Sequence, residues 1–422
     1  MKKVGYIALL LLAFCAVSCG RKKDGEVSVI PLTIKILNDT SSRAYKNISL
    51  SAADRSKGTV AVIGAPEDVI RLCENLVSCD MHDNISGKIK SDGLPDFAGE
   101  TFSEILDFAN YPYEEYAALN NAAFLKEINV RNFLSAIDTV CLQSPYDSSS
   151  RMYRQRAKFV IFASSSASVY GFHDIDSLCR NVGPEAVKVL TPVRSMYDYA
   201  ASRHGEGAMN ILVWGEKDKI DNGIYSSVLD DVLTARGDAS DYRVYCSYRD
   251  SADTDGSDRV RKEFLNVLDS YIAGEGGKVD AILLDDRSVS GRVLDSLVTG
   301  LSRTDDDNLL IYKNILSREV ICVSAAKAIS EQCYSYLRKE NAFTHRISYP
   351  DLQFFITYPS VELPEDVYDV DGGFSFAYKY SRKPDPDRST FSLVKMRDRY
   401  FPETMEDYME TNAPKSYSIY VR

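Results

Sequence analysis

From residue 59 onward, short apolar runs alternate with segments in which apolar residues recur every three or four positions. The runs Thr59–Ile63, Phe159–Ala163, Val187–Leu190, Asn210–Trp214, Asp280–Leu284, Val320–Val323 and Leu352–Thr357 predict strands. They are apolar without alternation, which predicts burial on both faces of a sheet. Between them lie stripes such as Val69, Leu72, Cys73, Leu76 and Ile329, Cys333, Tyr336, Leu337, the core faces of amphipathic helices. Strand–helix alternation of this kind predicts an α/β protein with mainly parallel sheets, arranged as two similar three-layer αβα lobes.

Two regions break the rhythm. Residues 80–110 carry Gly87, Gly93, Pro95 and Gly99 and predict a long connection or insertion. After Pro364, alternating runs at 374–378, 391–393 and 417–421 predict half-buried antiparallel strands, and Val27–Leu37 has similar character. The two chain ends are therefore expected to pair into a small antiparallel β appendage. The expected organisation is a leader over 1–18, a tether and edge strand over 19–58, one lobe over 59–200, a second over 201–362, and the β-rich appendage over 363–422.

The N-terminus predicts an address rather than a fold. Lys2 and Lys3 precede an apolar stretch from Val4 to Val17 that ends in Ser18, the charged, apolar and small-residue succession of a secretory signal. Ala16-Val17-Ser18-Cys19 resembles the lipobox of bacterial lipoproteins, with Ala16 where leucine is usual. That resemblance implies lipidation of Cys19, a membrane partner reached through the lipid, and a place in the bacterial cell envelope, at the outer membrane rather than the inner and facing the periplasm or the surface.

Charge and chemistry narrow the function classes mainly by exclusion. With 61 acidic against 50 basic residues and no basic run beyond Arg21-Lys22-Lys23, the chain lacks the phosphate-neutralising surface of a nucleic-acid binder. The histidines (82, 173, 204, 345) are scattered, and Cys73, Cys79, Cys141, Cys179, Cys246, Cys322 and Cys333 form no zinc-spaced pair. No metal or cofactor is expected. Most of these cysteines sit in apolar runs as small buried hydrophobes, although export would permit disulfides. Ser251–Gly256 has part of a calcium-loop rhythm, but Lys262 stands where the closing glutamate belongs.

Parallel sheets place ligands beyond the carboxyl ends of their strands. The exits are Gly64–Asp68, Ser164–Ser168, Gly215–Lys219, Asp285–Ser288 and Tyr358–Ser360. Their order resembles the aspartate/glutamate racemases. Phe159–Phe162 running into Ala163-Ser164-Ser165-Ser166-Ala167-Ser168 is similar to that family's strand followed by Ala-Cys-Asn-Thr-Ala-Ser, with serine for the cysteine. Gly215, Gly223 and Tyr225 match a second segment, while Glu216 and Lys219 replace its threonines. Asp280–Ser288 resembles the second catalytic segment, with Asp286 at the other cysteine position.

The resemblance implies a racemase-like body spanning roughly 59–360 without the thiol pair that cofactor-free racemisation needs, since a hydroxyl and a carboxyl do not exchange a proton as thiol and thiolate do. It leaves a cleft holding a small polar or amino-acid-like ligand, with Ser164, Ser165, Ser166, Lys217, Asp286, Arg287 and Ser288 as expected contacts and no catalytic residue assigned. Two other readings stay open. One is a type I periplasmic substrate-binding lipoprotein, which requires a multi-segment hinge between lobes. The other is a hydrolase-like enzyme in which Ser164 or Asp286 works with His173 and requires that histidine within hydrogen-bond reach of Ser164.

Overall fold

A computed structural model describes residues 29–51, 55–183, 186–205, 207–236, 242–248, 257–274 and 277–422. The signal stretch, the lipobox Cys19 and the Ser251–Gly256 loop lie outside the described residues. The described residues form twelve strands: β1 Thr59–Gly64, β2 Thr101–Leu106, β3 Val140–Leu142, β4 Arg151–Tyr153, β5 Ala157–Phe162, β6 Lys188–Leu190, β7 Met209–Gly215, β8 Tyr242–Tyr248, β9 Val279–Asp285, β10 Leu316–Ser324, β11 Asp351–Pro359 and β12 Phe391–Lys395. They form an eight-stranded sheet in the order β4-β3-β12-β11-β2-β1-β5-β6 and a four-stranded sheet in the order β10-β9-β7-β8. The second sheet is parallel throughout; in the first, β11–β12 and β3–β4 pair antiparallel.

Each sheet is covered on both sides, as unbroken apolar strands require. Helix Pro66–Ser78 buries Val69, Ile70, Leu72, Cys73, Leu76 and Val77 on one face of the first sheet, each such side chain contributing about 1.5–3 kcal/mol. Helices Ala122–Ile137 and Phe172–Val182 cover the other face. In the second sheet, helices Pro192–His204 and Ile224–Arg236 pack on one side and Ser257–Ala273 and Gly291–Ser302 on the other. The expected two-lobe α/β architecture with mainly parallel sheets is therefore the fold of this chain.

The chain crosses between sheets twice, through helix Pro192–His204 and through helix Ala325–Lys339, before β11 and β12 rejoin the first sheet. The strand expected at Leu352–Thr357 in the second lobe thus belongs to the first, between β2 and β12.

Among the described residues the expected β appendage does not form. Pro31–Asn38, Phe376–Ser381 and Pro414–Tyr420 are helices, and Phe391–Lys395 is an interior strand of the first sheet. Period-two alternation over a few residues is weak evidence when tertiary partners decide, and Pro31 and Pro414 at helix starts preset the helical φ there. Arg382 fastens this returning segment. Buried, it donates to Tyr116 Oη at 2.8 Å, Thr390 Oγ1 at 2.9 Å and Asn110 Oδ1 at 3.2 Å while its guanidinium lies 4.1 Å over the Phe374 ring.

Residues 80–110 hold the expected connection only as far as Gly99; β2 follows and pairs between β1 and β11. The connection is pinned by buried Asp96, whose carboxylate accepts from the backbone N–H groups of Met81 and His82, from His82 Nδ1 at 2.9 Å and from the Cys79 thiol at 3.2 Å. The cysteines at 73, 79, 141, 179, 246, 322 and 333 are all free.

Candidate functional site

Four strand exits, those of β1, β5, β7 and β9, meet where the two sheets adjoin, whereas the exit of β11 turns to Tyr146. Gly64 ends β1 at φ +155°, and a Cβ there would stand 2.8 Å from Ser164 Oγ, so the glycine lets the exit of β5 approach. The chain then enters helix Pro66–Ser78 with Glu67 and Asp68 in its first turn, where carboxylates complement the helix dipole. From the second sheet come Glu216 and Lys219 after β7, Asp285 at the end of β9, and Arg287 just beyond.

Their side chains close into a ring that crosses between the lobes. Ser164 Oγ accepts from Ala65 N–H at 2.9 Å and donates to Asp68 Oδ2 at 2.8 Å. Asp68 Oδ1 lies 3.5 Å from Arg287 Nε. Arg287 forms a two-pronged pair with Glu216, at 2.7 and 2.9 Å, and reaches Glu67 Oε2 at 2.8 Å. Glu216 is 3.5 Å from Lys219 Nζ, which lies 3.2 Å from Asp285 Oδ1. Asp285 Oδ2 accepts from Ser165 Oγ at 2.6 Å, returning the ring to the first lobe, and from Tyr225 Oη at 2.8 Å. Gly215 makes room for that tyrosine, since a Cβ there would meet Tyr225 Oη at 2.5 Å.

Electrostatics hold most of the ring in fixed charge states. Burial pushes the Glu216 carboxyl up, but its hydrogen bonds with Arg287 and the charge of Lys219 override this and hold it at about 2. Burial works against protonation of Lys219 and Arg287, yet Asp285 and Glu216 raise the lysine, and Glu216, Asp68 and Glu67 raise the arginine. Asp68 moves the other way: burial raises it despite Arg287, Lys219 and the Ser164 hydroxyl.

Beside the ring is a cavity of about 160 Å³ lined by residues of both lobes, among them Asp68, Ala163, Lys219, Asp285, Asp286, Arg287 and Ser324. Leu72, Leu284 and Ile329 add apolar surface to its lining. Among the described residues the lining carries carboxylates, three long cations and two serine hydroxyls, with no thiol, so it can orient a small polar molecule through charge-assisted hydrogen bonds. No group of three or more His, Cys, Asp or Glu able to hold a metal ion occurs among the described residues.

The expected contacts distribute unevenly around this cavity. Asp286 and Arg287 line it, with the Asp286 carboxylate accepting from Ser288 N–H at 2.7 Å and Ser288 Oγ at 2.5 Å. Ser164 reaches it through Asp68, and Ser165 through Asp285. Ser166 is buried behind them, its hydroxyl without a hydrogen-bond partner. Lys217 is exposed and turns to Asp221 and to the Tyr248 ring.

The residues that complete the ring without having been singled out as contacts are Glu67, Asp68, Glu216, Lys219, Tyr225 and Asp285. Asp285 continues the side of β9 occupied by Leu283, which faces helix Ile224–Arg236, whereas Leu284 faces the opposite helix layer. Extending that alternation by one position would have marked Asp285 as inward. His173 does not serve Ser164: its Nε2 lies 2.7 Å from Asp231, which also pairs with Arg194, and the Ser164 hydroxyl hydrogen is given to Asp68.

No protein family matches the chain, and a search of curated proteins finds no match. Among solved structures, the chain is similar to glutamate racemase from Francisella tularensis subsp. tularensis SCHU S4 in complex with D-glutamate, at 13% identity and a TM-score of 0.39 over 74% of this chain and 90% of that one. It is also similar to glutamate racemase from Aquifex pyrophilus, at 14% identity and a TM-score of 0.36 over 70% of this chain and 88% of that one.

Proposed function

We propose that this chain is a ligand-binding protein that holds a small polar, amino-acid-like molecule between its two lobes and does not carry out cysteine-based racemisation. The observation behind this reading is the interlobe cavity itself, walled by Asp68, Lys219, Asp285, Asp286 and Arg287, with no sulfur among its described lining residues. An α-amino acid offers the complementary groups, an ammonium for the carboxylates and a carboxylate for Lys219 or Arg287. The engagement of His173 by Asp231 favours this reading over a serine hydrolase.

The test is calorimetric titration with L- and D-amino acids, together with a polarimetric assay for interconversion of the enantiomers. Saturable binding of at least one amino acid with unchanged optical rotation is expected. Lys219→Met should weaken that binding roughly tenfold or more, since a charge-assisted contact is lost. Interconversion by the purified protein, or equal affinity in the Lys219→Met variant with its melting temperature intact, would refute the reading.

The same proposal places the protein in the bacterial envelope, tethered through a lipid on Cys19. Cys19→Ala should therefore shift it from the membrane to the soluble fraction on ultracentrifugation of lysed cells; retention in the pellet would exclude lipidation as the anchor.

A further inference from the structure

A second and larger cavity, of about 340 Å³, lies on the flank of the first sheet, beside helices Arg43–Ser49 and Ala122–Ile137 and strands β3 and β12. It shares no lining residue with the interlobe cleft. Its wall combines apolar Leu134, Phe391 and Leu393 with the guanidinium groups of Arg43, Arg131 and Arg151. Asp138, the one carboxylate lining it among the described residues, is already engaged by Arg43 at 2.5 Å, by Asn47 at 3.2 Å and by Val140 N–H at 3.1 Å. Arg131 is held by Glu127 at 2.8 Å.

Behind this wall sits Arg154, 8% exposed. One guanidinium nitrogen, Nη1, donates to the carbonyl of Ser135, a lining residue, at 3.0 Å; Nε and Nη2 are buried without any acceptor. The guanidinium carbon lies 4.4 Å from the centre of the Phe355 ring, and Lys395 Nζ lies 4.9 Å from the same centre. Two cations thus converge on one aromatic ring. A buried guanidinium with two idle donors is costly unless an acceptor is supplied, and its planar fork matches the oxygens of a carboxylate or phosphate.

We propose that this flank cavity is a second ligand site, taking a small amphiphilic anion whose carboxylate or phosphate oxygens accept from Arg154 beside Lys395 while its apolar body lies against Leu134, Phe391 and Leu393. The volume falls in the range of small-molecule pockets. Arg43, Arg131 and Arg151 at the rim draw an anion toward a protein that is acidic overall.

The experiment titrates the full chain with benzoate and with phenyl phosphate, using benzyl alcohol as the uncharged control, by calorimetry and by melting temperature. Saturable binding of either anion but not of benzyl alcohol is expected, weakened roughly tenfold or more in Arg154→Met. Binding of benzoate alone would assign a carboxylate ligand, and of phenyl phosphate alone a phosphate monoester. Should Arg154→Met fail to fold, Lys395→Met carries the same comparison. Absence of saturable binding by both anions, equal binding of benzyl alcohol, or unchanged affinity in the folded variants would overturn the proposal.

Discussion

Raising the pH from about 4.5 to about 8 should destabilise the folded chain through Glu104, and Glu104→Met should remove that part of the pH dependence. Glu104 lies mid-strand in β2, between Val62 of β1 and Phe354 of β11. It is fully buried on the side packed by helix Pro66–Ser78, against the Cys73 thiol of that helix and with no cation among the described residues to pair with its charged form. Burial pushes the group up to about 8, against an ordinary 4.5. The folded chain therefore keeps the proton over a window in which the unfolded chain has released it. Stability contributed by the raised group is complete below about 4.5 and falls as pH rises toward about 8, by about 5 kcal/mol across the window. Urea-unfolding midpoints for the wild type and Glu104→Met should diverge with rising pH, the variant becoming the more stable. Parallel curves would show that this carboxyl carries no such linkage.

Lys158→Met should cost about 3–5 kcal/mol, because it strands a carboxylate in the interior. Lys158 and Glu100 are each about 1% exposed, on β5 and immediately before β2. Lys158 Nζ lies 2.8 Å from Glu100 Oε2 and donates to the carbonyl of Ala342 at 2.6 Å and to Thr344 Oγ1 at 3.1 Å. Glu100 Oε1 accepts from Thr344 N–H at 2.6 Å. The pair thereby fastens the segment after helix Ala325–Lys339, the second crossing between lobes, to the base of the first sheet. Burial holds the Lys158 ammonium below its ordinary pKa, and Glu100 offsets only part of that. Replacing both partners, as Lys158→Met with Glu100→Leu, should recover much of the loss, since the unpaired charge disappears. A double variant as unstable as Lys158→Met alone would mean that the cost lies in packing rather than in the ion pair.

Buried polar residues also explain why the sequence pattern missed a central strand. Thr101-Phe102-Ser103-Glu104-Ile105-Leu106 reads as polar and mixed, yet every residue of β2 is buried. The polar ones are accommodated individually: Ser103 donates to Thr59 Oγ1 at 3.0 Å, and Glu104 is protonated by its surroundings. At β8, Tyr242–Tyr248 is a half-buried edge strand, and β3 and β4 are very short, so none offers the continuous apolar run that marked β1, β5, β7 and β9.

The sequence by itself determined that this chain builds two layered lobes from strand–helix units, because strands covered on both faces must be apolar throughout and their covering helices must carry one apolar stripe. It also marked the strand exits on which the candidate site is built, and the absence of sulfur at Ser164 and Asp286. Tertiary structure alone decided the rest. Whether alternating segments such as 417–421 become strand or helix depends on which neighbours bury them, and here Pro414–Tyr420 packs as a helix against Pro66–Ser78. Which of two adjacent side chains at a strand end faces the other lobe depends on sheet register, because successive residues point to opposite faces; Ser165 and Asp285 therefore meet across the lobes, while Ser164 turns to Asp68 and Asp286 to Ser288.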